Sequence, residues 1–231
     1  MKCRICGGGL KLLGSIPFDK NNAMVNIVDD TPMEYHQCKN CLAVSCQEML
    51  DWTPEKLGEK CYNSEYVKYD PDYMDERPRN YAYTLLEIFG EFKYNHLDYG
   101  SGSGKMAEIL RSKGWDSLSY DPYSENIKPI GKFKLVTAIE VIEHTLNLDK
   151  TIKDIKQYLH RDGVLIFSTK LADKNTTIDW WYIGTRGGHI NIQSEKSLKL
   201  VAKANSMEFS SIGEGIHIMQ RTKSNMFRIR I

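Results

Sequence analysis

From about residue 94 onward the hydrophobic pattern changes period in a regular alternation. HLDYG is a short apolar run ending in glycine. Residues 105–113 then place Met106, Ile109 and Leu110 on one helical face. DSLSYD, LVTAIEVI and GVLIFSTK read as three further strands. Residues 148–159 and 194–204 read as helices, the second with Ser194 as a candidate N-cap. MEFSSIG and GIHIMQRT read as a closing pair of strands joined at Gly213 to Gly215. Strands alternating with helices predict an α/β domain with a parallel sheet covered on both faces. Ligands in such sheets bind outside the carboxyl ends of the strands.

Upstream the pattern weakens. Residues 1–50 are rich in Cys, Gly and Asn, with a candidate strand at residues 23–28, and need a staple to fold. Residues 51–75 read as irregular and aromatic. YAYTLLEIF, within residues 76–92, reads as an amphipathic helix. The expected domains are therefore residues 1–50, a linker and helix at 51–92, and the α/β domain at 93–231.

Two CxxC pairs supply the staple. Cys3, Cys6, Cys38 and Cys41 sit in the turn-rich stretches CRICGGG and CKNCLA, a strong signal for a four-thiolate structural zinc. Zinc binding by four thiolates would move the formal charge from +1 to about −1 (four negative charges, two positive). Cys46 and Cys61 are expected to be structural thiols. MKCRICGGGLKLL has no apolar h-region, and no apolar run approaches the roughly 18 residues of a membrane span. The expected location is cytoplasmic, with no membrane partner. A net charge of +1 argues against a nucleic-acid partner.

The candidate chemistry lies in LDYGSGSGKMAEIL. Gly100-Ser101-Gly102-Ser103-Gly104 leaves a strand and enters a helix, where glycines let a ligand approach the backbone. A dinucleotide pyrophosphate fits poorly. The spacing is not GxGxxG, and Asp98 would repel it. S-adenosylmethionine (SAM) carries a sulfonium and an ammonium, which a carboxylate attracts. Asp121 ends the second strand, where it can accept hydrogen bonds from a ribose, with Pro122 and Tyr123 beside the adenine.

LDYGSGSG, SYDPY, LVTAIEVIEHT and DGVLIFSTK together resemble the class I SAM-dependent methyltransferases over roughly residues 76–220. The resemblance implies a Rossmann-like sheet and places Glu140, Val141 and His144 at the methionine end of the cofactor. One departure is visible. Only about a dozen residues separate Asp121 from the strand at Leu135, so the third-strand region is shortened to at most a short helix and a vestigial edge strand near residues 126–130. A zinc ribbon ahead of such a core resembles methyltransferases acting on sugar nucleotides and related metabolites.

Methyl transfer to an alcohol or acidic carbon needs a base of near-neutral pKa. TTIDWWYIGTRGGHINIQS, after the fifth strand, offers His189 as the favoured base, with His144 as runner-up and Tyr182 as a further catalytic candidate. Trp181 and Arg186 are the candidate acceptor-binding residues. The leading function is methyl transfer to a small metabolite, a sugar or nucleotide-linked sugar. Its competitors are a zinc-ribbon RNA methyltransferase, for which Arg228 and Arg230 make no basic stripe, and a non-catalytic SAM-binding interaction protein. Oligomeric state is not legible in the sequence.

Overall fold

The computed structural model describes residues 1–20, 29–91, 93–124, 127–213 and 215–221. The expected strand at residues 23–28, position 126 of the vestigial strand, and Arg228 and Arg230 lie outside them. Residues 127–130 form no strand.

The chain divides into two compact units. The first gathers Met1–Pro71, Glu140–Thr151 and Thr169–Ala204; the second gathers Asp72–Ile139, Ile152–Ser168 and Asn205–Ile231. This division runs differently from the contiguous segments read from the sequence, because the first unit takes in two stretches from the second half of the chain.

The elements in chain order begin with strands β1 (Leu10–Pro17), β2 (Pro32–Cys38) and β3 (Val44–Cys46). Helices α1 (Pro54–Lys60), α2 (Tyr66–Tyr69) and α3 (Glu76–Phe89) follow. Then come β4 (Asn95–Tyr99), α4 (Lys105–Ser112), β5 (Asp116–Tyr120), β6 (Phe133–Ile139), α5 (Leu148–Tyr158) and β7 (Leu159–Ser168). The last are β8 (Asn191–Ile192), α6 (Glu195–Ala204), β9 (Met207–Gly213) and β10 (Ile216–Arg221).

In the second unit the strands form one six-stranded sheet, order β5-β4-β6-β7-β10-β9. β5, β4, β6 and β7 are parallel, and β10 runs antiparallel to both β7 and β9. The chain moves outward from β4 to β5, then returns past β4 to β6. That reversal makes the crevice at the carboxyl end of β4 the switch point where ligands bind in such sheets. Ala82 and Leu85 of α3 and Met106, Ile109 and Leu110 of α4 pack with Leu135, Val164, Ile166 and Ile218. The alternation read from the sequence is thus realised.

The first unit holds a four-stranded antiparallel sheet, order β1-β2-β3-β8. Its last strand comes from Asn191–Ile192, far from the N-terminal segment in sequence. Tyr35, Val44, Met49, Leu57, Ile183 and Ile192 anchor its apolar core. Cys46 and Cys61 lie fully buried in that core, where burial pushes their thiols up to about 11 and about 12, as befits structural thiols. The stretch read as irregular contains a proper helix. Thr53 caps α1 by accepting from Lys56 N at 3.2 Å, and Pro54 stands at its first turn. Ser194 caps α6 as expected: Ser197 N donates to its hydroxyl at 3.0 Å, and the Ser197 hydroxyl accepts from Ser194 N at 2.8 Å.

Candidate functional site

In the second unit, the residues read as a cofactor site converge after β4. Gly100, Gly102 and Gly104 all take left-handed backbone angles (φ 72°, 50° and 72°), which explains glycine at each. A Cβ on Gly104 would stand 3.2 Å from Ser119 Oγ, so that position also needs the missing side chain for closeness. Gly100 N and Ser101 N both donate to Tyr120 O, which ties the loop to the end of β5. Asp121 accepts from Gly102 N at 3.0 Å through one oxygen and from Tyr123 N at 2.9 Å through the other. Each carboxylate oxygen keeps a second lone pair for a ribose hydroxyl. Pro122 is exposed beside it. The Ser101 hydroxyl is buried without a hydrogen-bond partner among the described residues, a donor the loop itself leaves unsatisfied.

Asp98 is buried, 3% exposed, in the penultimate position of β4. Strand register explains its surroundings. His96 lies opposite Ser117, and Asp98 opposite both Ser119 and Thr137. Thr137 Oγ1 donates to Asp98 Oδ1 at 3.2 Å. It therefore accepts from His96 Nε2 at 2.9 Å, and His96 Nδ1 accepts from the Ser117 hydroxyl at 2.7 Å. This relay holds His96 as a neutral imidazole, its pKa lowered to about 3 by burial. Burial, reinforced by the Asp121 charge, raises Asp98 to about 7 against the Thr137 hydrogen bond. Such a carboxyl is poised to ionise when a cation arrives.

In the first unit, the catalytic candidates also converge. The His144 and His189 rings lie 4.9 Å apart, and His189 stacks obliquely on Tyr182 at 4.2 Å. His189 Nδ1 lies 2.7 Å from Tyr182 O. A carbonyl only accepts, so Nδ1 carries the proton and Nε2 the lone pair. Burial and neighbouring His144 lower His189 to about 4, which keeps it neutral at pH 7. His144 Nδ1 lies 3.1 Å from Gly188 O and 2.7 Å from the Tyr62 hydroxyl. Tyr182 is buried, and its hydroxyl donates to Glu143 Oε1.

Three participants escaped the sequence reading. Glu143 is 0% exposed and accepts a hydrogen bond from the Tyr182 hydroxyl. Tyr62, within the stretch read as irregular and aromatic, bonds His144. Gly188, left-handed at φ 77°, is the position where a Cβ would collide with the Tyr62 hydroxyl and stand 3.0 Å from His144 Nδ1. The signal in the sequence was the glycine pair ahead of His189, whose meaning depends on a tyrosine more than a hundred residues away.

Arg186 is spent on its own chain. Buried at 6% exposure, it donates to Cys61 O and, at 2.9 Å, to Asn63 Oδ1, and its Nε lies 3.9 Å from Asp19. It ties its loop to Cys61 and Asn63, in place of the expected grip on an acceptor. Trp181 is 65% exposed and edge-on to Tyr182. Glu140 and Val141 follow Ile139 directly. Glu140 has φ 51°, a strained conformation for a residue with a side chain.

The four cysteines form a cluster of a different kind. Cys3 Sγ lies 3.6 Å from Cys41 Sγ, and Cys6 Sγ lies 3.5 Å from Cys38 Sγ. A tetrahedral site with Zn–S bonds of about 2.3 Å has edges of roughly 3.8 Å. The two knuckles repeat each other. Cys3 N donates to Gly8 O and Gly7 N to Cys3 O; Cys38 N donates to Ala43 O and Leu42 N to Cys38 O. Gly7 and Leu42 both take left-handed angles, φ 70° and 65°. Ile5 N and Asn40 N point at Cys3 Sγ and Cys38 Sγ, each at 3.4 Å. The donor set fits zinc: duplicated turns, sulfur spacing and amides that stabilise thiolates.

A mixed sheet with four parallel strands, a glycine loop and a buried acid at its switch point is a Rossmann-like α/β fold of the class I methyltransferase type. The chain belongs to the methyltransferase domain family, whose sequence pattern matches residues 53–208, over half of the 231. Among solved structures it is similar to Burkholderia thailandensis 1,6-didemethyltoxoflavin-N1-methyltransferase (13% identity, TM-score 0.48, 84% of this chain and 95% of that one). It is also similar to magnesium protoporphyrin IX methyltransferase from Synechocystis with bound S-adenosylhomocysteine (14% identity, TM-score 0.43, 76% and 98%). An O-methyltransferase family protein from Burkholderia thailandensis matches at 10% identity and TM-score 0.45; the shared part is 61% of this chain and 56% of that one. No curated protein matches. Among the described residues no helix is long and apolar enough to cross a membrane.

Proposed function

We propose that this chain transfers the methyl group of SAM to a small metabolite, a sugar or nucleotide-linked sugar. The observation that carries the reading is Asp98, a carboxyl buried beside three left-handed glycines at the switch point. A phosphate would be repelled there and a cation drawn in. SAM supplies an activated methyl on a sulfonium, so the protein's task is alignment.

In this reading Asp98 meets the positive end of the cofactor, and Gly100, Ser101, Gly102 and Gly104 pass beneath it. Asp121 takes the ribose hydroxyls, and Pro122 flanks the adenine. Glu140 and Val141 complete the methionine end. His189, His144 and Tyr182 hold the acceptor oxygen and help its proton leave, while the exposed Trp181 ring offers a flat face to a sugar. Cys3, Cys6, Cys38 and Cys41 hold a structural zinc that stabilises the segment at residues 1–50 and does no chemistry. None of the six cysteines is in a disulfide, which suits a reducing, cytoplasmic setting.

Calorimetry of the zinc-loaded protein with SAM and with NAD tests the cofactor. SAM binding with no NAD binding is expected, and the reverse sinks the proposal. A panel of nucleotide sugars, read by release of S-adenosylhomocysteine, tests the acceptor.

A further inference from the structure

Glu143, His144 and His189 form a second cluster with metal-ligand chemistry, separate from the cysteines. One ligand atom from each lies within 4.8 Å of the others. The proton positions favour ligation. His189 Nδ1–H is taken by Tyr182 O, so its Nε2 presents a lone pair. The contact of His144 Nδ1 with Gly188 O selects the same tautomer. A backbone carbonyl that fixes the outer nitrogen of an imidazole is the usual support of a metal-bound histidine. Glu143 is fully buried; Tyr182 satisfies Oε1, and Oε2 has no hydrogen-bond partner among the described residues. A buried carboxylate oxygen without a partner is costly, and a cation in reach removes that cost.

We infer that Glu143, His144 and His189 bind a first-row divalent transition metal that receives the acceptor's hydroxyl. Two imidazoles and one carboxylate suit manganese, iron or zinc in the divalent state; Ca(II) and Mg(II) prefer all-oxygen shells. Three protein ligands leave positions for substrate. A hydroxyl bound there loses its proton to water more readily. Its oxygen then bonds to the methyl carbon as the S–C bond breaks, giving a methyl ether and neutral S-adenosylhomocysteine. The inference rests on the methyltransferase reading and adds an acceptor class: metabolites that present an oxygen donor to a metal. Glu140, whose charge reaches Glu143, Tyr182 and His189, adds negative potential that favours a cation.

The test titrates Mn(II) into the zinc-loaded full chain and follows the free-ion signal by electron paramagnetic resonance. One Mn(II) per chain is expected. His189→Ala and His144→Ala should each weaken binding about tenfold or more, with cysteine-bound zinc and circular dichroism unchanged. Pulsed resonance on the wild type should show nitrogen couplings from imidazole, a readout that stands even if a variant fails to fold. No Mn(II) binding, no imidazole coupling, or equal affinity in folded variants overturns the inference. SAM calorimetry on the same samples separates the two readings: intact SAM binding without Mn(II) removes the metal alone, and loss of SAM binding by the wild type removes the methyltransferase reading.

Discussion

The two units are stabilised in different ways. The unit built on β4, β5, β6 and β7 is held by apolar packing of α3 and α4 on a hydrogen-bonded sheet. Its one buried acid among the described residues, Asp98, stands at the end of a Ser117–His96–Thr137 relay. The unit built on β1, β2, β3 and β8 has a smaller sheet and concentrates sulfur, imidazole and carboxylate in two clusters. The first arrangement rests on apolar packing and keeps Asp98 buried at the end of β4. The second gathers its polar atoms into two groups with the spacing of metal ligands.

The largest test of this contrast is Cys38→Ser. Structural zinc contributes on the order of 10 kcal/mol in small sites. The variant should lose its zinc, and hydrogen exchange should show β1 and β2 unprotected while β4 and β6 stay protected. Equal protection in both sheets would erase the distinction.

Asp98→Asn comes next. Losing a charge-assisted contact costs about 1.5–3 kcal/mol, so SAM affinity should fall roughly ten- to a hundredfold by calorimetry. The apo protein should melt higher at pH 8, because a buried carboxyl raised to about 7 is costly to keep ionised there. A lower melting temperature would mean that the carboxylate supports the fold.

A smaller effect is the pH dependence of SAM binding. The anionic form of Asp98 attracts the cation, so affinity should rise with pH up to about 7 and level off above it. In Asp98→Asn the slope should vanish; a slope that survives assigns the titration elsewhere.

Gly188→Ala sharpens the other side. The left-handed angle alone costs about 1–2 kcal/mol with a Cβ, and the methyl displaces Tyr62 from His144. Turnover should drop more than SAM affinity. Trp181→Ala should have the smallest effect, a raised KM for the acceptor with the melting temperature unchanged, since the ring is largely exposed.

Much of this was legible in the chain because it depends on local spacing. The β4–loop–α4 segment is contiguous, so one stretch of residues encodes the glycines, the acid and the helix. The two CxxC knuckles are likewise local, and only their pairing is long-range. Other features depend on neighbours that the sequence does not bring near. Arg186 looks like a substrate grip until Cys61 O and Asn63 occupy it. Tyr62 looks like a packing residue until His144 stands 2.7 Å from its hydroxyl. Residues 51–75 lack a long apolar period, yet a Thr53 cap and Pro54 suffice for α1.

By itself the sequence determined the α/β alternation, the glycine loop with its acid, and the four cysteines, because backbone angles, helical period and ligand spacing act over a few residues. Tertiary structure alone decided that β8 completes the N-terminal sheet, that Glu143 takes the Tyr182 hydroxyl, and that two histidines 45 positions apart in sequence sit with their rings 4.9 Å apart. Those outcomes depend on which buried polar groups find partners when distant segments pack, and local pattern carries no record of that.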